Sequence, residues 1–134
     1  MMQLMFTRQS AGADASRVAA IAVAIWREVG TALSPIIGQA GVDALFKRSI
    51  YLTRGAHPAL ASVFDNSVQL DALAALDDAL AQQASATAMA SNIALLQNFQ
   101  ELLISLIGLS LTERLLRPVW DKPSSGQAEQ DATP

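Results

Sequence analysis

The chain has 134 residues, 51% of them hydrophobic, 5% aromatic and 16% charged, with a formal net charge of −3 and no cysteine. That length corresponds to one domain, able to bury a core without metals or disulfides. The missing thiols exclude disulfide frameworks, thiolate metal sites and cysteine nucleophiles, and the acidic balance argues against a general nucleic-acid binder, which needs a basic stripe to neutralise phosphates.

Long alanine and leucine runs with few β-branched clusters favour helix. The expected fold is all-α: a four-helix antiparallel bundle over residues 1–120, with a short extra C-terminal helix and a polar tail. The first residues, "MMQLMFTRQSAGADAS", show no sustained period, so residues 1–13 are expected to fray, with Leu4, Met5 and Phe6 available to tuck against the body. From about Ser16 to Leu33, Val18, Ile21, Ile25, Val29 and Leu33 recur at spacings of three and four, with Asp14 or Ser16 as N-cap. The run "RVAAIAVAIW" imitates the apolar part of a secretory signal, but it starts late and its pattern continues past Arg27 and Glu28, so it reads as a mature helix.

In "SPIIGQAG" the period breaks, and the chain is expected to reverse there, with Pro35 opening a turn and Gly38 and Gly41 as joints. A second helix, Val42 to Arg54, places Val42, Leu45, Phe46, Ser49, Ile50 and Thr53 on one face and Asp43, Lys47, Arg48, Tyr51 and Arg54 off it, with Gly55 as terminator. "AHPALASVFDNS" reads as a connector with one helical turn led by Pro58, and Asn66 with Gln69 resembles a capping box. The third helix follows to about Ala84, carrying Leu70, Leu73, Leu76 and Leu80 among alanines.

A break is expected between Gln83 and Thr87, because a single helix from Val68 to Ile107 would be about 60 Å long. Met89, Ile93, Leu96, Phe99, Leu103 and Leu106 trace a fourth helix whose end is apolar nearly all round. Gly108 can end it, and the Ser110 to Glu113 spacing suggests a capping box for a last helix closed before Pro118, a continuous helix kinked there being the alternative. After Trp120 the sequence is polar and rich in Pro, Ser and Gly, so 121–134 is expected to be a disordered tail. Every apolar window is interrupted by charged or amide groups, which argues against a membrane span.

Chemistry-bearing residues are sparse. His57 is the one histidine, and its place before a proline pushes it out of the helical region, away from the mid-helix position a phosphotransfer histidine needs. One histidine also leaves no histidine pair for a metal and no second imidazole for acid–base work. Asp77 and Asp78 point about 100° apart on a helix and read as a solvated face. No cofactor or metal site is expected.

Charge layout is more telling. Residues 17–54 carry Arg17, Arg27, Lys47, Arg48 and Arg54 against Glu28 and Asp43, whereas residues 55–113 carry six carboxylates and no Lys or Arg. Within the basic half, Trp26, Arg27, Lys47, Arg48, Tyr51, Arg54 and His57 are the candidate partner- or ligand-contact residues, although core packing is the competing reading of Trp26. Leu102, Leu103, Leu106, Ile107 and Leu111 are the candidates for self-association.

The stretches "GQAGVDALFKRSIYL" and "ELLISLIGLSLTERLLRPVW" resemble segments of small uncharacterised bacterial proteins that accompany signalling genes. The resemblance implies a cytoplasmic regulatory or adaptor role and brings no catalytic residue. The sequence therefore points to a non-catalytic helical interaction module in bacterial signalling, homodimeric, with an acidic protein as the partner. The alternative is a small anionic-ligand sensor using Arg48, Tyr51 and His57 around an inter-helix pocket. A small enzyme using His57 with a carboxylate, or a phosphorelay protein, stands behind both.

Overall fold

The computed structural model describes residues 6–8, 10, 12–66 and 72–120. Among these residues there is no strand, and the fold is all-α. In chain order the elements are α1 (Ala15–Thr53), a 3-10 turn (Pro58–Leu60), α2 (Ala61–Asn66), α3 (Ala72–Ala81), α4 (Ser85–Ile107) and α5 (Leu109–Trp120). Phe6 and Ser10, in the stretch expected to fray, are helical and buried, so this part of the N-terminus packs on the body.

Asp14 is the N-cap of α1, its carboxylate accepting the Arg17 N–H at 2.9 Å. As a straight rod, α1 would hold Trp26 and Phe46 about 30 Å apart. Their ring centroids are 5.0 Å apart, so the helix is folded into a hairpin. The fold occurs at Gly38, whose φ of 80° and ψ of 157° lie in a region that essentially glycine alone enters. An alanine there costs about 1–3 kcal/mol. The reversal expected within "SPIIGQAG" is present, but its place is corrected: the helix runs through Ser34 and Pro35 and breaks only at Gly38. Proline removes one N–H, the partner of the Thr31 carbonyl, and helix on both sides tolerates that loss; a change of hand requires glycine.

The second arm, residues 39–53, buries Val42, Phe46, Ser49, Ile50 and Thr53, with Leu45 partly buried, as the spacing predicts. Gly55 does not end it through a left-handed cap, for its φ is not positive. Instead the Thr53 carbonyl accepts from the N–H groups of Ala56 and His57. Pro58 opens the helical turn expected of the connector. The third helix was expected to start at an Asn66–Gln69 capping box; Asn66 is the last residue of α2, and Gln69, like the tail 121–134, lies outside the described residues.

α3 closes at Ala81, three residues before the expected end, and the turn to α4 falls at 82–84, which overlaps the expected break only at Gln83 and Ala84, since α4 has already begun at Ser85. Gly108, with φ of 89° and ψ of 159°, both ends α4 through its N–H to the Ile104 carbonyl and starts α5 by accepting the Thr112 N–H. This arrangement displaces the expected Ser110 cap, since the helix already begins at Leu109. α5 also passes through Pro118 to Trp120, a second correction of the same kind: Pro118 is exposed, so the Arg114 carbonyl it leaves unpaired has access to water. α1 packs on α4, α3 and α5, and the core is built where its arms meet α4.

By length and composition α1 also qualifies as a helix able to cross a membrane, with mean hydropathy 1.4 over its most apolar window. The core helix of a soluble domain passes the same test. A signal sequence near the N-terminus passes it too; Val18, Ala19, Ala22, Ile25, Trp26, Val29 and Leu33 of α1 are buried against the rest of the chain, while 33% of that window is buried as a whole.

Candidate functional site

α4 presents two neighbouring seams. Ser91 and Asn98 are seven residues apart and share one face; Asn92 and Phe99 share the next, about 100° round. The Asn92–Phe99 seam meets Trp26 of the first α1 arm. Trp26 Nε1 donates to Asn92 Oδ1 at 2.9 Å, and the indole stands edge-on to both Phe46 and Phe99, each with a centroid separation of 5.0 Å. Trp26 therefore joins both arms of α1 to α4. It is 4% exposed and sits in the core rather than on the basic surface with which it was grouped. The indole N–H explains the buried asparagine, since a tryptophan N–H taken out of water requires an acceptor. Asn92 Nδ2 has no partner among the described residues.

The Ser91–Asn98 seam meets the second arm and the connector. Asn98 Nδ2 donates to Thr53 Oγ1 at 2.8 Å, and that hydroxyl donates to the Ser49 carbonyl. Ser91 Oγ donates to Gln83 Oε1 at 3.2 Å and lies 3.4 Å from His57 Nδ1. A hydroxyl has one proton, and with that proton on Gln83 the His57 contact needs the ring N–H as donor. Ser91 is fully buried, and its contacts link His57 of the connector and Gln83 to α4. His57 thus contacts Ser91 of α4.

Lys47, Arg48, Tyr51 and Arg54 do come together on the outer face of the second arm. The Arg54 guanidinium lies 4.2 Å from the Tyr51 ring centroid and that of Arg48 lies 5.6 Å from it, so two cations flank one ring. Lys47, Arg48 and Tyr51 are exposed, with Leu52 exposed beside them. Arg54 is half-buried, and its Nε has no acceptor among the described residues. Arg27 lies apart from this group, on the first arm at the mouth of a cleft.

That cleft was not anticipated. It has a volume of about 660 Å³ and opens between the two arms of α1. Trp26, Val29, Val42, Phe46, Leu73 and Phe99 form its apolar wall, and Arg27, Thr31, Ser34, Gln39 and Asp43 its polar mouth. Gly30 makes room for it on the first arm. The sequence hint was the run of small residues Gly30, Thr31 and Ser34 on one side of a helix that folds back on itself. Asp77 and Asp78, assigned to a solvated face, are exposed. Of the self-association candidates, Leu103 is buried in the core, Leu102, Ile107 and Leu111 are half-buried, and Leu106 is 59% exposed. Leu109, across the Gly108 corner, is 52% exposed.

No known protein family matches the chain, and neither the curated proteins nor the solved structures include one similar to it.

Proposed function

We propose that the protein is a non-catalytic, cytoplasmic interaction module in bacterial signalling, a four-helix bundle formed by the two α1 arms, α3 and α4 with α5 as the extra helix. It engages an acidic protein partner through the outer face of the second α1 arm. The observation that carries this reading is Tyr51 between Arg48 and Arg54. A guanidinium lying on a ring is already partly ordered, so its N–H edge meets a carboxylate at lower entropic cost than a free lysine would. Lys47 adds charge on the same face, and neither it nor Arg48 has a carboxylate partner among the described residues.

The test is anisotropy of a fluorescent poly-glutamate peptide titrated with the protein. Saturable binding that weakens with salt is expected, together with its loss in Arg48→Glu/Arg54→Glu. Lys47→Glu/Arg48→Glu, two exposed positions, gives the same result without risk to the fold. Binding unchanged in both variants would refute the assignment. Self-association is assigned to the exposed leucines Leu106 and Leu109 at the α4–α5 corner. Light scattering over a hundredfold concentration range checks it: a dimer that Leu106→Glu dissolves supports the assignment, and a monomer throughout refutes it.

A further inference from the structure

We infer that the cleft between the two arms of α1 is a binding site for a small zwitterion with an aromatic body, an aromatic amino acid being the simplest example. Its volume of about 660 Å³ is within the range of small-molecule sites. The wall offers apolar surface from Val42 and Leu73 and the accessible edges of Trp26 and Phe46, against which a planar ring can lie.

The mouth carries opposite charges on opposite arms: Arg27 on the first and Asp43 on the second. Both line the cleft and are exposed, and no ion pair joins them among the described residues, so neither charge neutralises the other. Gln39 Nε2 donates to Asp43 Oδ1 at 3.0 Å, which orients the carboxylate and leaves Oδ2 unengaged among the described residues. Pro35 has no N–H for the Thr31 carbonyl, which adds an acceptor on the same wall as Thr31 and Pro35. An ammonium group has acceptors in Asp43 and this carbonyl, and a carboxylate has a fork of donors in Arg27. A ligand with a single charge leaves one lip of the cleft unmatched. This site is separate from the Tyr51 face, and its reading does not depend on the acidic-partner proposal.

Calorimetry with L-tryptophan, tryptamine and indole-3-propionate tests the site on the whole chain. Saturable binding of tryptophan is expected, weakened about tenfold when either charged group is missing from the ligand, since hydrogen bonds to charged groups are worth about that much. Arg27→Gln should bring tryptophan to the level of tryptamine, and Asp43→Asn to that of indole-3-propionate. Both positions are exposed, so circular dichroism should show the fold unchanged. Gly30→Leu, which fills the cleft, should abolish binding. The inference is overturned by no heat of binding at millimolar ligand, by equal affinity for all three compounds, or by binding that survives Gly30→Leu.

Discussion

The two seams of α4 lie side by side and hold the same hairpin, but they do different physical work. The Asn92–Phe99 seam is an aromatic junction in which Trp26 touches Phe46 and Phe99 and hands its N–H to Asn92. The Ser91–Asn98 seam is a set of hydrogen bonds to Thr53, Gln83 and His57 at the end of the second arm. Apolar burial supplies most of the stability and is tolerant of direction, whereas buried hydrogen bonds contribute little net energy but penalise every arrangement that leaves them unmade. The first seam therefore holds the hairpin to α4, and the second sets the register at which it is held.

Changes to the aromatic seam should cost most. Phe99→Ala removes a fully buried ring from a junction of three helices and should destabilise by about 3–5 kcal/mol in urea unfolding. A much smaller loss would mean that Trp26 and Phe46 close over the gap. Asn92→Ala strands the Trp26 N–H and should cost about 1–3 kcal/mol. Combining Asn92→Leu with Trp26→Phe should recover much of that loss, because both unpaired groups disappear together; a double-mutant cycle reads the coupling.

In the polar seam, Thr53→Val keeps the shape and removes the hydroxyl shared by Asn98 and Ser49. It should cost about 0.5–1.5 kcal/mol, the smaller loss reflecting that Asn98 is half-buried and has access to water. An effect as large as that of Phe99→Ala would abolish the distinction between the seams. The smallest expected effect is a gain. Gly30→Ala adds a Cβ 3.9 Å from Val42 Cγ1, an ordinary contact, inside a helix where glycine is a poor choice. It should stabilise by about 0.5–1 kcal/mol in thermal unfolding, in contrast to alanine at Gly38.

The buried face of the second arm was legible in the sequence because burial repeats with the helix period, and Val42, Phe46, Ile50 and Thr53 keep that period without interruption. The turn at 82–84 was legible from length alone. The hairpin and its joint at Gly38 were foreseen, but not the part played by the proline: Pro35 and Gly38 are both breakers, and only the conformation adopted shows that glycine makes the turn while the proline stays in the helix. Among candidate site residues, Lys47, Arg48, Tyr51 and Arg54 were legible as one face, since they recur at spacings of three and four. Trp26 and His57 were grouped with them as an aromatic and a histidine of the basic half, with core packing as the competing reading of Trp26; Trp26 is buried in the core and His57 contacts Ser91.

The sequence by itself determined what depends on composition and on neighbours three to seven residues apart: an all-α fold, the amphipathic faces and the segregation of basic from acidic residues, while leaving the cap of α1 open between Asp14 and Ser16. Only the tertiary structure decided which faces meet. The Trp26–Asn92 bond spans 66 residues of sequence, and the cleft between Arg27 and Asp43 exists only because a helix folds back at Gly38. Such contacts are selected by the packing of whole faces, to which every residue of the hairpin contributes, so no local pattern announces them.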